Sequence, residues 1–307
     1  MTVTRRATLI AAGAAALFPF AAKAAPALRI GYQRYSTLIV TKHLGLMEKA
    51  LAPHGINVSW AEFVAGPQLL EALAAGAIDL GQTGDAPPVF AEAAQPGGLV
   101  YLGYEPPAPD AEAILVRKDS AIRQVADLRG KRIALNRGSN VHWFLLEALR
   151  RAGLGFHDVH VSYLTPPAAR AAFENGHIDA WAIWDPYLSS ALNDQTRILT
   201  TAEGIVNNRE FFLISKTFAQ QPHDIVAAVS STIAQTDEWA MANKAQVAAL
   251  FAKETGLALD AVSHALSSRS FGFHSMDQSM IDEQMNVAKV LKDSGVIPSL
   301  PAIAPYR

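Results

Sequence analysis

Two similar segments of the chain, GAIDLGQTGDAP (residues 76–87) and GHIDAWAIWDP (residues 176–186), indicate its architecture. In each segment a Gly is followed by Ile-Asp, and a second Asp comes six residues after the first. The repeated positions are Gly76, Ile78, Asp79 and Asp85, with counterparts Gly176, Ile178, Asp179 and Asp185. Because the Gly follows a predicted helix and the Ile-Asp begins a predicted strand, both segments occupy the same place in two similar units.

A second pair of matching segments lies upstream of the first pair. RIGYQRYS (29–36) and RIALNRGS (132–139) both begin a strand with Arg-Ile and continue into a polar loop, where Gln33 aligns with Asn136. Ile-Asp alone would be a chance similarity between two ordinary β-α-β units. Two matches in the same order instead predict two lobes of like construction.

Strand-like and helix-like segments alternate along most of the chain, which predicts an α/β fold with parallel sheet components. Strands are predicted at 28–32, 56–63, 77–83, 99–105, 111–118, 131–136, 159–164 and 178–184. Helices are predicted at 38–51, 66–76, 87–95, 140–153 and 166–176, and the chain from about 217 onward is mostly helical by spacing.

The mirrored loops are predicted to line one ligand cleft, because open α/β sheets bind ligands beyond the carboxyl ends of their strands. Ser139 or Asn140 is a suitable helix N-cap, and Ser36 takes the same place in the other lobe, where Gln33 is a donor. A helix N-terminus has unpaired N–H groups and suits an anion. The alternative is simple capping, which most helices need.

Three residues at the strand ends have alternative roles. Trp184 suits either core packing or the cleft wall. Asp85 and Asp185 would repel an anion. Roles other than binding an anion are therefore considered for both. They could cap the helices that follow, bind a nearby Arg or Gln, or bind the cationic group of a zwitterionic ligand.

Composition excludes several classes of protein. The chain has 307 residues, a formal net charge of −2 and no cysteine, which argues against nucleic-acid binding and excludes thiol catalysis, cysteine metal sites and disulfides. P-loop, nucleophile-elbow and zinc-protease motifs are absent from the sequence. We therefore expect a protein that is not an enzyme and needs no cofactor or metal.

The N-terminus has the pattern of an export signal, predicted over residues 1–24. Arg5 and Arg6 precede an uncharged stretch, and small residues at 22–24 suit cleavage near Ala24. The apolar run is short for a membrane anchor, the alternative reading. The pattern predicts a periplasmic protein, by either the Sec or the twin-arginine route.

The sequence resembles the substrate-binding proteins of bacterial ABC importers, and more narrowly the aliphatic sulfonate-binding proteins, relatives of the taurine and nitrate binders. The resemblance spans nearly the whole chain after the signal. It rests on segments such as LRIGYQ, GAIDLGQTGDAPPVFAEAA, VADLRGKRIALNRGSNVH, DAWAIWDPY and FFLIS.

This resemblance implies a two-lobed periplasmic binding protein fold of type II-like topology, in which two hinge crossings join the lobes. Lobe 1 would comprise residues 25–110 and 210–307, and lobe 2 residues 111–209. It further implies a monomer that captures alkanesulfonates between the lobes and delivers them to ABC importer permease subunits for sulfur acquisition. Alternative ligands are taurine, nitrate or a pyrimidine precursor. A biosynthetic enzyme on the same fold is the remaining alternative.

The resemblance also implies which residues hold the sulfonate. The ligand-binding candidates are Gln33, Tyr35, Gly84, Asp85, Ser139, Asn140, Val141, Trp184, Asp185 and Arg209. Tyr35 replaces a residue that is often small in relatives, so it either narrows the cleft or stacks on the organic part of the ligand. Arg209, at the return crossing, either reaches the sulfonate or braces the hinge.

Overall fold

The computed structural model describes residues 27–307. The predicted export signal at residues 1–24 lies outside the described residues. Within the described part of the chain, no helix is both long and apolar enough to cross a membrane.

The first of two sheets is mixed and has six strands, in the spatial order β11-β4-β10-β3-β1-β2. Its strands are β1 (Ala27–Tyr32), β2 (Asn57–Glu62), β3 (Leu80–Gly84), β4 (Leu99–Tyr104), β10 (Glu210–Ser215) and β11 (His274–Ser275). Strand β1 pairs in parallel with β2 and β3, whereas β10 runs antiparallel between β3 and β4. The late strand β10 therefore returns the chain to the centre of the first sheet.

The second sheet has five strands, in the spatial order β7-β6-β8-β5-β9. Its strands are β5 (Glu112–Arg117), β6 (Arg132–Leu135), β7 (His160–Tyr163), β8 (Ala180–Trp184) and β9 (Thr196–Thr201). Strand β6 is parallel to β7 and β8, and β5 is antiparallel to β8 and β9. Each sheet thus combines a parallel β-α-β part with an antiparallel strand, and the α/β expectation is confirmed.

Helices cover both sheets and make up most of the chain after β10. They are α1 (Thr37–Leu44), α2 (Leu46–Leu51), α3 (Gly66–Ala74), α4 (Ala86–Ala94), α5 (Asn140–Arg151), α6 (Pro166–Glu174), α7 (Tyr187–Ala191), α8 (His223–Ala242), α9 (Lys244–Thr255), α10 (Leu259–Ser267) and α11 (Gln278–Asp293). The single helix predicted at 38–51 is wrong, because Gly45 adopts a left-handed conformation (φ 62°) that ends α1 and starts α2.

Three elements between residues 184 and 217 were not predicted as elements, namely α7, β9 and β10. Helix α7 has only five residues, which is too short for helical periodicity to show. Strand β10 is almost wholly buried, so its apolar residues do not alternate with polar ones as in a half-exposed strand.

The internal repeat has a structural explanation. Asp79 accepts hydrogen bonds from the backbone N–H and the Nε of Arg29, and its other oxygen accepts from Nη2 at 2.7 Å. Asp179 binds Arg132 through the same three donors, with the Nη2 contact at 2.8 Å. In both lobes, therefore, the Arg-Ile and Ile-Asp segments are the two halves of one ion pair between adjacent strands.

The two lobes also contact each other outside the sheets. One apolar core cluster combines Val89 of α4, Phe144 of α5 and Leu291 of α11, and α7 contacts α10. The chain passes from the first sheet to the second between β4 and β5, and returns between β9 and β10. We retain the lobe boundaries 25–110 with 210–307, and 111–209, as a proposal.

Candidate ligand-binding site

A cleft of about 290 Å³ lies between the two lobes and takes residues from both sheets and from both crossings. Seven of the ten candidate residues line it: Gln33, Tyr35, Gly84, Ser139, Asn140, Trp184 and Asp185. The strand-end loops of the two lobes are therefore brought together, as their place in the sheets predicts. Their role in binding remains a prediction.

The mirrored loops have the same internal hydrogen bond. The Ser36 hydroxyl donates to the Gln33 carbonyl at 2.8 Å, and the Ser139 hydroxyl donates to the Asn136 carbonyl at 2.7 Å. Neither serine side chain therefore caps the helix that follows it. Because the first N–H groups of an α-helix have no acceptor within the helix, the start of α5 at Asn140 presents free donors to the cleft.

The Asn140 side chain ties α5 to both crossings. It donates to the Asn208 side-chain oxygen at 2.8 Å, and Asn208 donates to the Ala108 carbonyl at 2.8 Å. Gly84 lies so close that a Cβ added there would overlap the Asn140 carboxamide. The floor of the cleft is consequently a tight contact between the end of β3, the start of α5 and the hinge.

Aromatic side chains form the apolar walls. Trp184 packs partly against the core and also lines the cleft, with its ring edge-on to Tyr187 at 6.3 Å. Tyr35 packs on Phe251 at 4.7 Å, which fixes its ring at the opposite wall. Trp184 thus both packs against the core and lines the cleft, whereas the two roles considered for Tyr35 stay predictions.

Three candidates do not line the cleft: Asp85, Val141 and Arg209. The Val141 side chain is fully buried in the core. The Arg209 side chain points away from the cleft. Its Nε donates to the Glu283 carboxylate at 3.1 Å, and its guanidinium lies over the Tyr104 ring. Of the two roles considered for Arg209, this ion pair favours bracing the return crossing.

The two aspartates of the repeat differ in their environment. Asp185 accepts from the backbone N–H and the hydroxyl of Ser189, so it caps α7. Asp85 makes no cap to α4, and its Oδ1 is buried without a hydrogen-bond partner. Burial, reinforced by Glu283, raises the pKa of Asp85 to about 7. These contacts fit the capping interpretation for Asp185 but not for Asp85, and a role of either residue in ligand binding stays a prediction.

Arg269 is a buried cation at the cleft that the sequence analysis did not select. Its Nη2 donates to Glu105 at 2.9 Å, and its Nη1 donates to the Tyr35 carbonyl at 3.2 Å. Burial lowers the pKa of Arg269, but the attraction of Glu105, Tyr35 and Glu210 together outweighs burial and holds the pKa above its usual value. No local motif marks Arg269, because its partners are distant in the sequence.

Glu210, the first residue of β10, also lines the cleft and was not selected. Burial raises the pKa of Glu210 to about 8, against the opposing effect of Arg269 and with help from Glu105 and Asp85. Burial likewise raises the pKa of Glu112, whose two carboxyl oxygens have no hydrogen-bond partner. The cleft residue Glu210 and the nearby Asp85 and Glu112 are therefore carboxyl groups whose neutral form is favoured.

Among residues 27–307, no group of three or more His, Cys, Asp or Glu side chains is arranged to hold a metal ion. The geometry instead combines a helix N-terminus, amide donors and a guanidinium with aromatic walls. A cleft of this kind between two α/β lobes defines a solute-binding protein of the periplasmic binding protein type.

The chain belongs to the NMT1-like family, whose profile matches residues 21–253, and to the aliphatic sulfonate-binding proteins. It is 45% identical over 255 residues to a protein of Escherichia coli (strain K12) named as an aliphatic sulfonates-binding protein, covering 82% of this chain and 79% of that one.

Two solved structures share the fold and much of the sequence. The periplasmic aliphatic sulphonate binding protein SsuA from Escherichia coli is 41% identical, with a TM-score of 0.82, over 90% of this chain and 89% of that one. The alkanesulfonate-binding protein SsuA from Xanthomonas axonopodis pv. citri, bound to MOPS, is 40% identical, with a TM-score of 0.82, over 89% and 94%. The resemblance to sulfonate-binding proteins is therefore confirmed.

Proposed function

We propose that this protein captures alkanesulfonates in the interlobe cleft and delivers them to the permease of an ABC importer for sulfur acquisition. The observation that carries the proposal is the start of α5. Its serine hydroxyl is turned back to Asn136, so its free N–H groups open into a cleft that also contains Arg269. Sequence identity of 40% or more to sulfonate-binding proteins supports the same ligand class.

The cleft matches both ends of an alkanesulfonate. Sulfonate oxygens only accept hydrogen bonds, and the α5 N-terminus and the Arg269 guanidinium only donate them. Phe63, Val64 and Trp184 line the rest of the cleft and provide an apolar surface for the alkyl chain. Val64 is 70% exposed, so a tail that covers it would gain free energy from burial.

Transport without catalysis is the simplest account of these residues. The cleft contains no nucleophile held by a general base, and the sequence has no cysteine. We propose that the protein is a periplasmic monomer, exported by the signal at residues 1–24, and that lobe closure over the ligand creates the surface that the permease recognises.

Titration calorimetry tests the proposal directly. The protein is unfolded and refolded to remove bound solute, and then titrated with short and long alkanesulfonates, taurine, sulfate and nitrate. A sulfonate-free buffer is needed, because a related protein is bound to MOPS in its crystal structure. We expect micromolar or tighter binding of alkanesulfonates, about −8 kcal/mol, and much weaker binding of sulfate and nitrate. Binding of nitrate alone would refute the proposal.

A zwitterionic sulfonate such as taurine is the second candidate, and one observation favours it. Glu210 places a carboxyl group on the cleft wall, where an ionised form would attract an ammonium group. Asp85, the residue first considered for this role, is 2% exposed and does not line the cleft. Preferential binding of taurine over alkanesulfonates of equal length would establish this alternative.

A further inference from the structure

Glu210 lies where two strand ends meet at the hinge. Its backbone pairs with Gly84 at the end of β3, and its carbonyl accepts from the Glu105 N–H at 2.8 Å just beyond β4. Glu210 lines the cleft, and its carboxyl group has no hydrogen-bond partner among the described residues. It is thus free to bind a ligand.

The carboxyl groups around the floor of the cleft outnumber the cations. Asp85, Glu105 and Glu112 are buried and Glu210 is half-buried, and of these four acids Arg269 interacts with Glu105 and Glu210. Two other arginines lie nearby, and both are paired: Arg34 with Glu62 and Arg209 with Glu283. If all four acids were ionised, the floor would repel a sulfonate.

These acids differ in the number of hydrogen bonds that their carboxyl groups accept. Glu105 accepts from Arg269, Thr37 and Gln82, so it is the compensated carboxylate. Both oxygens of Glu112 and one of Asp85 are buried without a partner, which an ionised carboxylate tolerates poorly. Glu105 is therefore the acid whose charge is best compensated by hydrogen bonds, whereas burial raises the pKa of Asp85, Glu112 and Glu210 and so favours their neutral form.

Two further acids line the cleft, and both are already engaged. Asp185 accepts two hydrogen bonds from Ser189, and Glu62 forms an ion pair with Arg34 at 2.6 Å. Glu210 is the cleft acid whose side chain makes neither kind of contact.

We propose that Glu210 binds the sulfonate as a neutral carboxylic acid, donating its O–H to a sulfonate oxygen, so that capture of the anion is coupled to proton uptake. This inference rests on the proposed function and adds a specificity-determining donor to that site. The protonated acid suits a plain alkanesulfonate, whereas the ionised acid would suit an ammonium group instead.

The sign of the coupling follows from the charges. A bound anion next to Glu210 disfavours its ionised form, so the pKa of this carboxyl is higher in the complex than in the free protein. Below the free-protein pKa, about 8, Glu210 already carries the proton and affinity does not depend on pH. Above it, each unit of pH weakens binding by up to about tenfold, until the pKa of the complex is reached.

The experiment is a calorimetric titration of the protein with 1-butanesulfonate between about pH 6 and about pH 10. Near pH 6 it is repeated in phosphate and in bis-Tris, and near pH 8 in phosphate and in Tris; the two buffers of each pair differ in ionisation enthalpy and contain no sulfonate. The difference in heat gives the number of protons taken up. We expect about half a proton per ligand near pH 8, none near pH 6, and weaker binding as pH rises.

Two variants assign the proton to this residue. In Glu210→Gln the amide remains a neutral donor, so affinity at about pH 6 changes by no more than about threefold, the pH dependence disappears and proton uptake stops. Glu210→Ala has no donor and binds about tenfold or more weakly at pH 6. Glu203→Gln, on an exposed residue of the other lobe, is the control and keeps the pH profile of the unmodified protein.

Each result has one meaning. Proton uptake that persists in Glu210→Gln overturns the assignment, and binding that is independent of pH in the unmodified protein overturns the inference while leaving the proposed function intact. Failure of 1-butanesulfonate and all other alkanesulfonates to bind at any pH overturns both.

Discussion

The side chain of Asn140 donates to Asn208 across 2.8 Å, and this bond joins the first residue of α5 to the return crossing. Asn208 donates onward to Ala108, on the outgoing crossing. Asn208 is also the one non-glycine residue with a positive φ (48°) in the described part of the chain. The N-terminus that we propose to bind the anion is therefore fixed by the two segments about which the lobes would move.

A double-mutant cycle on this pair tests the coupling. Asn140→Ala removes one amide, and Asn208→Gly removes the other while allowing the positive φ. We expect each single variant to bind alkanesulfonate several-fold more weakly and the double variant to bind no more weakly than the worse single one. Calorimetry measures all four affinities, and strictly additive losses would contradict the coupling.

Gly84→Ala tests the close contact at the cleft floor. The added methyl group overlaps the Asn140 carboxamide, so it displaces α5 from the end of β3, and we expect affinity to fall about tenfold or more. Gly98→Ala is the matched control, because a Cβ there makes ordinary contacts with Ala74. A Gly84→Ala protein with unchanged affinity would show that this contact is dispensable.

The two arginines near the hinge are expected to behave differently. Arg269→Lys keeps a charge but loses the fork that binds Glu105 and the Tyr35 carbonyl, so we expect affinity to fall about tenfold or more. Arg209→Gln breaks the ion pair with Glu283 outside the cleft, so affinity changes by no more than about threefold. Calorimetry together with thermal melting separates loss of binding from loss of stability. Equal losses of affinity in the two variants would contradict the placement of Arg269 at the cleft and of Arg209 outside it.

The environment of the buried Asp237 carboxyl group predicts that the stability of the folded protein depends on pH. The Thr37 hydroxyl lies 2.6 Å from Glu105 and 2.8 Å from Asp237, yet it has one proton to donate. Asp237 therefore supplies a second proton, and burial together with Glu105 raises the pKa of Asp237 to about 8.

Because the pKa of Asp237 in the folded protein lies above its unfolded value of about 3.9, the stabilisation is complete at low pH and is lost as pH rises towards 8. We expect Asp237→Asn, which keeps a donor, to reduce the fall in Tm between about pH 6 and about pH 9. Glu238→Gln, exposed on the same helix, is the control. Identical Tm profiles for all three proteins would refute this reading of Asp237.

The duplicated ion pairs are expected to stabilise the fold without affecting the ligand. Asp79→Asn should cost roughly 1–2 kcal/mol, and Asp179→Asn less, because the Asp79 side chain is 10% exposed and that of Asp179 is 23% exposed. Denaturant unfolding measures the first effect and calorimetry the second. A loss of alkanesulfonate affinity in either variant would show that the repeated ion pair contributes to ligand binding.

The sequence pattern identified cleft-lining residues only where they lie in the repeated loops. Gln33 and Ser139 each follow a strand whose apolar spacing is clear, and Trp184 ends one, so their place at the cleft could be inferred from strand order. Arg269 could not be found in this way, because it contacts Tyr35 from a position 234 residues further along the chain. Glu210 is the first residue of β10, a largely buried strand whose pattern of apolar residues does not single it out.

The sequence by itself determined the alternation of strands and helices, the duplication of the lobes and the loops that face the cleft. These depend on periodicity and on short-range geometry, which neighbouring residues specify. Only the tertiary structure decided that Arg209 points away from the cleft, that Arg269 lines it and that the buried Asp85 and Glu112 lie near the half-buried Glu210. The physical reason is that desolvation and charge pairing depend on segments that meet only after the chain has folded.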